Sequence, residues 1–285
     1  MPMQIEISMD EIEYLKRGDE GLRLQFHRPA GDGPFPLLVD VHGGAWTRGD
    51  MTDCAARAAV LAEAGVAVAA LNFRDGAHGY PASLVDINYA IRWLKARADD
   101  FAIDPGRVGL CGQSSGGHLA MLSAMRPDDP RYLAQPLPSD LAATDATVRC
   151  VAMTWPVINP LSRYRHALRR RAEAEPPAWV GDIPERHDLY WKTEATMEEG
   201  NPMLALERGE AVRTPPAIWI QGRPDEVHDY HDPESGFAGN EPERFVANYR
   251  KAGGDIELAY VPQESRSERP TQELVRDFVL RHLGG

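Results

Sequence analysis

One serine of the sequence lies in a setting that suits nucleophilic chemistry. Ser114 is the central residue of a Gly-x-Ser-x-Gly pattern that runs from Gly112 to Gly116. The apolar run 107–111 before it is typical of a strand, and the run 117–125 after it is typical of a helix. A serine on the sharp turn between strand and helix exposes its hydroxyl, and the helix N-terminus stabilises negative charge beside it. The pattern therefore predicts that Ser114 is a nucleophile.

A second motif could supply the hydrogen-bond donors that acyl transfer needs. The sequence His-Gly-Gly-Ala-Trp occupies 42–46 and follows the short apolar run 35–41, which is typical of a buried strand. Two adjacent glycines let backbone N–H groups turn inward with no side chain in the way, towards a developing oxyanion. We expect the N–H groups of Gly43, Gly44 and Ser115 to form this oxyanion hole. The alternative is a plain glycine turn between strand and loop.

Together these motifs resemble the esterase branch of the α/β-hydrolase fold that carries an HGG motif. This branch includes hormone-sensitive-lipase-like esterases, arylformamidases and feruloyl-esterase-like enzymes, and the segments 42–46, 73–86 and 104–120 are similar to its motifs. The resemblance implies an α/β-hydrolase fold with a mostly parallel, doubly wound sheet. It also implies hydrolysis of a small ester or activated amide through an acyl-enzyme on Ser114, with no cofactor. His118 would then be a structural helix residue.

The resemblance also points to an acid, but the usual base is missing. The segment 221–225 is similar to the Gly-x-x-Asp of the family, which implies Asp225 as the acid. The resembling enzymes carry a histidine in the loop after the final strand, whereas the loop 262–270 has none and Arg266 falls near the expected position. Arginine stays protonated in proteins and cannot accept the proton of a serine.

Another histidine could supply the base. His228 and His231 follow the acid closely, in a loop that would emerge at the same edge of the sheet as Ser114. We assign the base to His228, with His231 as the alternative, and a loop histidine without a catalytic role stays open. His187 is a weaker candidate. The missing histidine near Arg266 also keeps a different function open: a non-hydrolytic member of the fold that binds a ligand, or a lyase or acyltransferase.

Strand-like and helix-like segments alternate along most of the chain, which predicts a parallel sheet covered on both faces within a single domain over 1–285. The expected strands are 11–15, 22–28, 35–41, 66–71, 107–111, 148–155, 217–221 and 256–261. The expected helices are 53–64, 84–98, 117–125, 242–252 and 272–283. Turns are expected over 18–21 and 104–106, and an irregular excursion over 126–147.

The segment of about 156–212 is polar, helical and interrupted by prolines, and we expect it to form a lid inserted before the acid-bearing strand. Its aromatic residues either shape a substrate pocket or pack the lid onto the core. They are Tyr164, Trp179, Tyr190 and Trp191, with Trp155 at its base. Its arginines either form a solvated helix face or attract a carboxylate-bearing substrate. They are Arg163, Arg165, Arg169, Arg170 and Arg171.

The composition of the chain limits the classes of molecule that it is expected to bind. The chain has 285 residues, 43% of them hydrophobic, and a formal net charge of −12, which argues against nucleic acid or an anionic membrane as a partner. No metal-ligand spacing stands out. The N-terminus lacks the pattern of a secretory signal, and Cys54, Cys111 and Cys150 form no C-x-x-C pair. We therefore expect a cytoplasmic protein with a small-molecule substrate, and leave a homodimer open.

Overall fold

The computed structural model of the protein describes residues 7–17 and 20–284. The turn expected over 18–21 and the N-terminal residues 1–6 therefore lie partly or wholly outside the described residues. The strands are β1 Ser8–Arg17, β2 Glu20–Arg28, β3 Phe35–Val41, β4 Ala67–Leu71, β5 Ile103–Gln113, β6 Val151–Thr154, β7 Ala217–Arg223 and β8 Ile256–Pro262. The helices are α1 Ala55–Glu63, α2 Ala82–Ala96, α3 Ala98–Phe101, α4 Ser115–Met125, α5 Pro160–Arg171, α6 Ile183–Trp191, α7 Glu194–Glu199, α8 Pro202–Glu207, α9 Glu241–Lys251 and α10 Arg269–Leu283.

Eight strands of the described residues form one sheet in the order β1-β2-β4-β3-β5-β6-β7-β8. β2 pairs antiparallel with β1 and β4. The remaining neighbours, in the order β4-β3-β5-β6-β7-β8, all pair parallel. Every residue of β3 and β4 is buried, as expected for strands that are covered on both faces. The prediction of a mostly parallel, doubly wound sheet is confirmed.

Helices pack on both faces of this sheet. On one face α1 and α10 bury Leu61 and Phe278 against Leu38 of β3. On the other face α2 and α4 contribute Ile87 and Leu119 to a larger core. The helical segment from α5 to α8 lies between β6 and β7 in the chain, where the lid is expected.

The prediction that the segment 104–106 is a turn before the strand is wrong, because the strand already begins at Ile103. The Asp-Pro-Gly segment over 104–106 lies within β5, which begins at Ile103 rather than at 107. Ile103 pairs with Phe35 of β3, and the register then shifts before the regular parallel ladder resumes. The Gly106 N–H donates to the Asp104 carboxylate over 2.8 Å, so the local turn geometry survives as an irregularity inside a longer strand.

The strand order brings the motifs of the sequence to one place. β3, β5, β6 and β7 are consecutive neighbours in the sheet and run in the same direction, so their carboxyl ends lie side by side. The HGG segment follows β3, Ser114 follows β5 and the Asp225 loop follows β7. Open α/β sheets bind their ligands at this edge.

Candidate active site

Ser114 lies on a strained turn between the end of β5 and the start of α4. Its φ is 54° and its ψ is −119°, a positive φ that costs a non-glycine residue about 1–3 kcal/mol and is typical of functional sites. The Ser114 N–H donates to the Thr154 carbonyl over 2.9 Å, and the Ser114 carbonyl accepts from the N–H groups of Val157 and His118 over 3.1 and 3.2 Å. These bonds hold the turn, so the side chain projects from the carboxyl edge of the sheet.

His228 contacts both Ser114 and Asp225. Its Nε2 lies 3.2 Å from the Ser114 Oγ, and its Nδ1 lies 2.8 Å from Asp225 Oδ2. Because an ionised carboxylate can only accept, Nδ1 carries the proton, which leaves Nε2 free to accept from the serine hydroxyl. The three side chains therefore form the hydrogen-bonded series that activates a serine in hydrolases.

The loop after β7 fixes the acid and the histidine within one turn. Asp225 Oδ1 accepts from the backbone N–H groups of Val227 and His228 over 2.7 and 3.2 Å, and Gln221 Nε2 donates to Asp225 Oδ2 over 3.1 Å. The carboxylate thus holds the imidazole through Oδ2 and the backbone of the same turn through Oδ1. Tyr230 connects the next part of the loop to α5, since its hydroxyl donates to the Ser162 Oγ over 3.2 Å.

The electrostatic setting keeps His228 neutral. Burial lowers the pKa of His228 to about 4, with further lowering by the charges of Arg266 and Arg163, although Asp225 acts in the opposite direction. For Asp225, burial raises the pKa, but the hydrogen bonds and charge of His228 outweigh it and the pKa is lowered overall. At neutral pH the pair is therefore a carboxylate and a neutral imidazole, the state that a general base requires.

Gly43, the first glycine of the HGG segment, lies directly beside the serine, and Gly44 follows it. A Cβ added to Gly43 would lie 3.3 Å from the Ser114 Cβ and 2.9 Å from the Gln113 carbonyl oxygen, and Gly44 has a φ of +111°. Neither position has room for a side chain. A cavity of about 250 Å³ borders these glycines and Gln113, and its wall also includes Arg57. Ser115, whose N–H is the third expected donor, is buried as the first residue of α4.

The other candidate histidines are engaged elsewhere. His231 is exposed and its Nδ1 bonds to the Gly239 carbonyl over 3.1 Å. His187 is buried, donates from Nδ1 to the Ile183 carbonyl over 2.8 Å, and packs against the ring of Trp46.

His118 is buried in α4. It accepts from Trp46 Nε1 over 3.3 Å and donates to the Gly200 carbonyl over 2.7 Å. Both ring nitrogens therefore bond within the core, which fits the structural role expected for it.

The position near which the resemblance places a histidine holds a cation. Arg266 lies in the 3₁₀ turn after β8, with its guanidinium carbon 5.4 Å from the centre of the Trp155 ring. Burial lowers the pKa of Arg266 and the Asp225 carboxylate raises it, while Arg266 in turn lowers the pKa of His228. Arg266 is therefore an electrostatic neighbour of the His228–Asp225 pair.

The arginines of α5 divide into two kinds. Four of them form ion pairs with carboxylates at the surface: Arg165 and Arg169 with Glu234, Arg170 with Glu173 and Glu226, and Arg171 with Glu185. Arg163 is different. Its residue is only 3% exposed, and its Nε and Nη1 have no hydrogen-bond partner among the described residues.

The aromatic residues of the insert mainly pack the core. Tyr190 and Trp191 are fully buried, and both rings contact the indole of Trp46 in the HGG segment. Trp155 at the base of the insert is also fully buried. Of the two interpretations open in the sequence, packing onto the core describes these three residues.

Sequence reasoning missed several residues around the site. Gln221 lies in the very segment that indicated the acid, but its bond to Asp225 carries no pattern of its own. Thr154 acts through its backbone carbonyl, which no residue type reveals. Arg163, in contrast, was named with the other arginines of α5, and only its burial was missed, because burial depends on the helix face that α5 turns inward.

Among the described residues no group of three or more His, Cys, Asp or Glu side chains could hold a metal ion. Within the same part of the chain, no helix has the length and apolar character that crossing a membrane requires.

The sheet and the contacts of Ser114, His228 and Asp225 define a class of protein, an α/β-hydrolase fold with a serine-histidine-aspartate arrangement at its carboxyl edge. The profile of the BD-FAE family matches residues 24–233, and the chain belongs to this family. The matched region includes all three residues.

Solved esterase structures share the fold. Esterase 2 from Thermogutta terrifontis, solved with propionate bound, superposes with a TM-score of 0.69 at 21% identity, covering 97% of this chain and 96% of that chain. A bacterial heroin esterase superposes with a TM-score of 0.73 at 19% identity, covering 98% of this chain and 85% of that chain. At such identities the likeness shows the fold alone.

Curated relatives match part of the chain. LipM of Mycobacterium tuberculosis (strain ATCC 25618 / H37Rv), named a probable carboxylic ester hydrolase, is 36% identical over 126 residues, which are 43% of this chain and 29% of LipM. LipN of the same strain, named a carboxylic ester hydrolase, is 38% identical over 138 residues, 47% of this chain and 37% of LipN. The chain thus spans about a third of the length of these relatives.

Proposed function

We propose that the protein is a serine hydrolase of the carboxylesterase type that cleaves a small ester or an activated amide such as a formamide. The observation that carries the proposal is the continuous hydrogen bonding from the Ser114 Oγ through His228 to Asp225. The names of LipM and LipN favour a carboxylic ester as the substrate.

In the proposed reaction His228 Nε2 accepts the proton of Ser114 as the Oγ attacks the carbonyl carbon. The N–H groups of Gly43, Gly44 and Ser115 hold the oxyanion, and Asp225 stabilises the imidazolium. His228 then gives the proton to the leaving oxygen or nitrogen, and an acyl-enzyme remains on Ser114. Water, deprotonated by the same imidazole, releases the acid and restores the hydroxyl.

The ligand-binding alternative depended on the lack of a histidine after the last strand. His228 lies 3.2 Å from the Ser114 Oγ, so the loop after β7 offers a base in its place. No separate observation favours a lyase or an acyltransferase over a hydrolase.

Hydrolysis of 4-nitrophenyl acetate and labelling by a fluorophosphonate test this proposal. We expect the wild-type protein to turn over the ester and to be labelled, and Ser114→Ala to lose both. Ser123→Ala is the matched control, because Ser123 is a buried serine on α4, the helix that follows Ser114, and its Oγ has no hydrogen-bond partner among the described residues. A wild-type protein that is inert to short esters and formamides would contradict the proposal.

Location and assembly are lesser proposals. We propose a cytoplasmic location, supported by the burial of Cys54, Cys111 and Cys150 as free thiols, which suits a reducing compartment. Cell fractionation tests the proposed location. Light scattering of the purified protein tests whether the protein forms a homodimer, which the sequence leaves open.

A further inference from the structure

Gln221 is a buried amide in a strand whose other buried residues are apolar. It follows Ile218, Trp219 and Ile220 in β7, and it is 0% exposed. Burying an amide is costly for a fold unless its polar atoms have hydrogen-bond partners. Both polar atoms of the Gln221 amide have partners, and one of these partners is the proposed acid of the site.

The bond with Trp219 fixes the direction in which the amide faces. Trp219 Nε1 lies 3.1 Å from Gln221 Oε1, and an indole nitrogen can only donate. The Gln221 atom that it contacts is therefore the carbonyl oxygen. The amide nitrogen, Nε2, donates to the Gly222 carbonyl over 3.0 Å and to Asp225 Oδ2 over 3.1 Å. In a flipped amide, donor would face donor at Trp219 and acceptor would face acceptor at Asp225.

The two oxygens of the Asp225 carboxylate are held in different ways. Oδ1 accepts from the backbone N–H groups of Val227 and His228, which belong to the same turn. Oδ2 accepts from two side chains, since His228 Nδ1 lies 2.8 Å away and Gln221 Nε2 lies 3.1 Å away. Gln221 therefore contacts the oxygen that holds the imidazole.

Solvent barely reaches the atoms that Gln221 contacts. The side chain of Asp225 is 1% exposed and that of His228 is 6% exposed. Because water is excluded, it would not replace a hydrogen bond that the amide no longer makes. A hydrogen bond to a carboxylate also favours its ionised form. Loss of the amide would therefore leave Oδ2 less well held and the ionised carboxylate less stable.

We propose that Gln221 is a positioning residue for the hydrolytic reaction, and that Trp219 orients its amide. By donating to Oδ2 of Asp225, Gln221 keeps this carboxylate ionised and directed at the imidazole of His228. Gln221 itself does not contact the reacting atoms. This inference rests on the proposed hydrolase function and adds a residue that supports its acid.

The test compares kcat and KM for 4-nitrophenyl acetate in the wild-type protein and in Gln221→Met, which keeps a similar length and removes the hydrogen bonds. We expect kcat to fall about tenfold to a hundredfold, as the loss of a hydrogen bond to a charged group does. KM should stay within about twofold, since Gln221 is fully buried. Gln25→Met is the matched control and should leave kcat unchanged. Gln25 is a buried glutamine on β2, and four strands separate β2 from β7 in the sheet.

A double-mutant cycle shows whether Gln221 acts through Asp225. Adding Gln221→Met to Asp225→Ala should lower kcat by less than about twofold, because the carboxylate that Gln221 holds is then absent. An equal factor of loss in both backgrounds would overturn the proposal, since Gln221 would then only support β7. An unchanged kcat in Gln221→Met alone would overturn it as well.

Should Gln221→Met fail to fold, Gln221→Glu decides. The new carboxyl group has the shape of the amide, but its ionised form presents an acceptor and a like charge to Asp225. On protonation it can donate again, so kcat relative to wild type should rise as the pH is lowered from about 8 to about 5.5. A relative kcat that is low throughout this range would overturn the proposal. A wild-type protein that does not hydrolyse 4-nitrophenyl acetate would instead contradict the hydrolase function, so the two failures are distinguishable.

Discussion

The acidic limb of the pH–rate profile should reveal the unusual setting of His228. Only the neutral imidazole accepts the serine proton, so kcat/KM falls as His228 becomes protonated. Burial and the charges of Arg266 and Arg163 lower the pKa of His228 to about 4, from an ordinary value of 6.5. At pH 5.5 a histidine with a pKa of about 4 is about 97% neutral, whereas one with the ordinary value is about 9% neutral. The protein should therefore keep most of its activity at a pH where an ordinary histidine would lose about nine tenths.

The assay is kcat/KM for 4-nitrophenyl acetate from about pH 3.5 to 8, read at the isosbestic wavelength of nitrophenol. Removing a nearby positive charge makes the imidazolium easier to form, so Arg266→Met should raise the pKa and move the acidic limb to higher pH. Arg171→Met, which removes an arginine that is paired with Glu185, should leave the limb in place. A wild-type limb at or above pH 6.5, or a shift to lower pH in Arg266→Met, would refute the reasoning.

Three further substitutions test other parts of the account. Asp225→Asn should lower kcat by up to about 10⁴-fold with little change in KM, because the carboxylate no longer holds the proton on Nδ1 of the imidazole. An unchanged kcat would contradict the role of Asp225 as the acid. Gly43→Ala should lower kcat by about 10²-fold or more, since the added Cβ would lie 2.9 Å from the Gln113 carbonyl oxygen and displace an oxyanion donor; wild-type kcat would show that the HGG segment plays no such role. Arg57→Met should lower the free energy of unfolding by about 3–5 kcal/mol in urea titration, because it leaves the fully buried Asp40 carboxylate without its partner, and a loss below about 1 kcal/mol would contradict that reading.

The sequence was most informative where a residue type is required by local geometry. Ser114 could be found because the turn that exposes it needs glycines around it: a Cβ on Gly116 would run into the backbone of Val41. The alternation of apolar strands and amphipathic helices likewise predicted the sheet. The Asp-Pro-Gly segment at 104–106 gave the wrong start for β5, because Ile103 before it already pairs with Phe35 of β3, and such pairing is not a local property.

The site itself was only partly predictable, since it joins groups far apart in the chain. The Gly-x-x-Asp pattern at the end of β7 indicated Asp225 as the acid. Two histidines, His228 and His231, follow Asp225 closely, so the sequence left two candidates for the base. His228 contacts Ser114 although 114 residues separate them in the chain. The direction of its imidazole depends on how the Asp225 carboxylate holds the backbone of the turn 225–228. Arg163 is buried and the other arginines of α5 are not, which likewise depends on which face of the helix is covered. The polar residues around Arg163 in the sequence gave no sign of this burial.

We propose that the catalytic base is supplied by the loop after β7, which also carries the proposed acid Asp225, rather than by the loop after the last strand. The most direct test of this proposal is the kcat for 4-nitrophenyl acetate in the wild-type protein, His228→Ala and His231→Ala. We predict that His228→Ala lowers kcat by about 10²–10⁴-fold, whereas His231→Ala, which removes an exposed imidazole three residues further on, stays within about twofold of wild type. Wild-type kcat in His228→Ala would contradict the account.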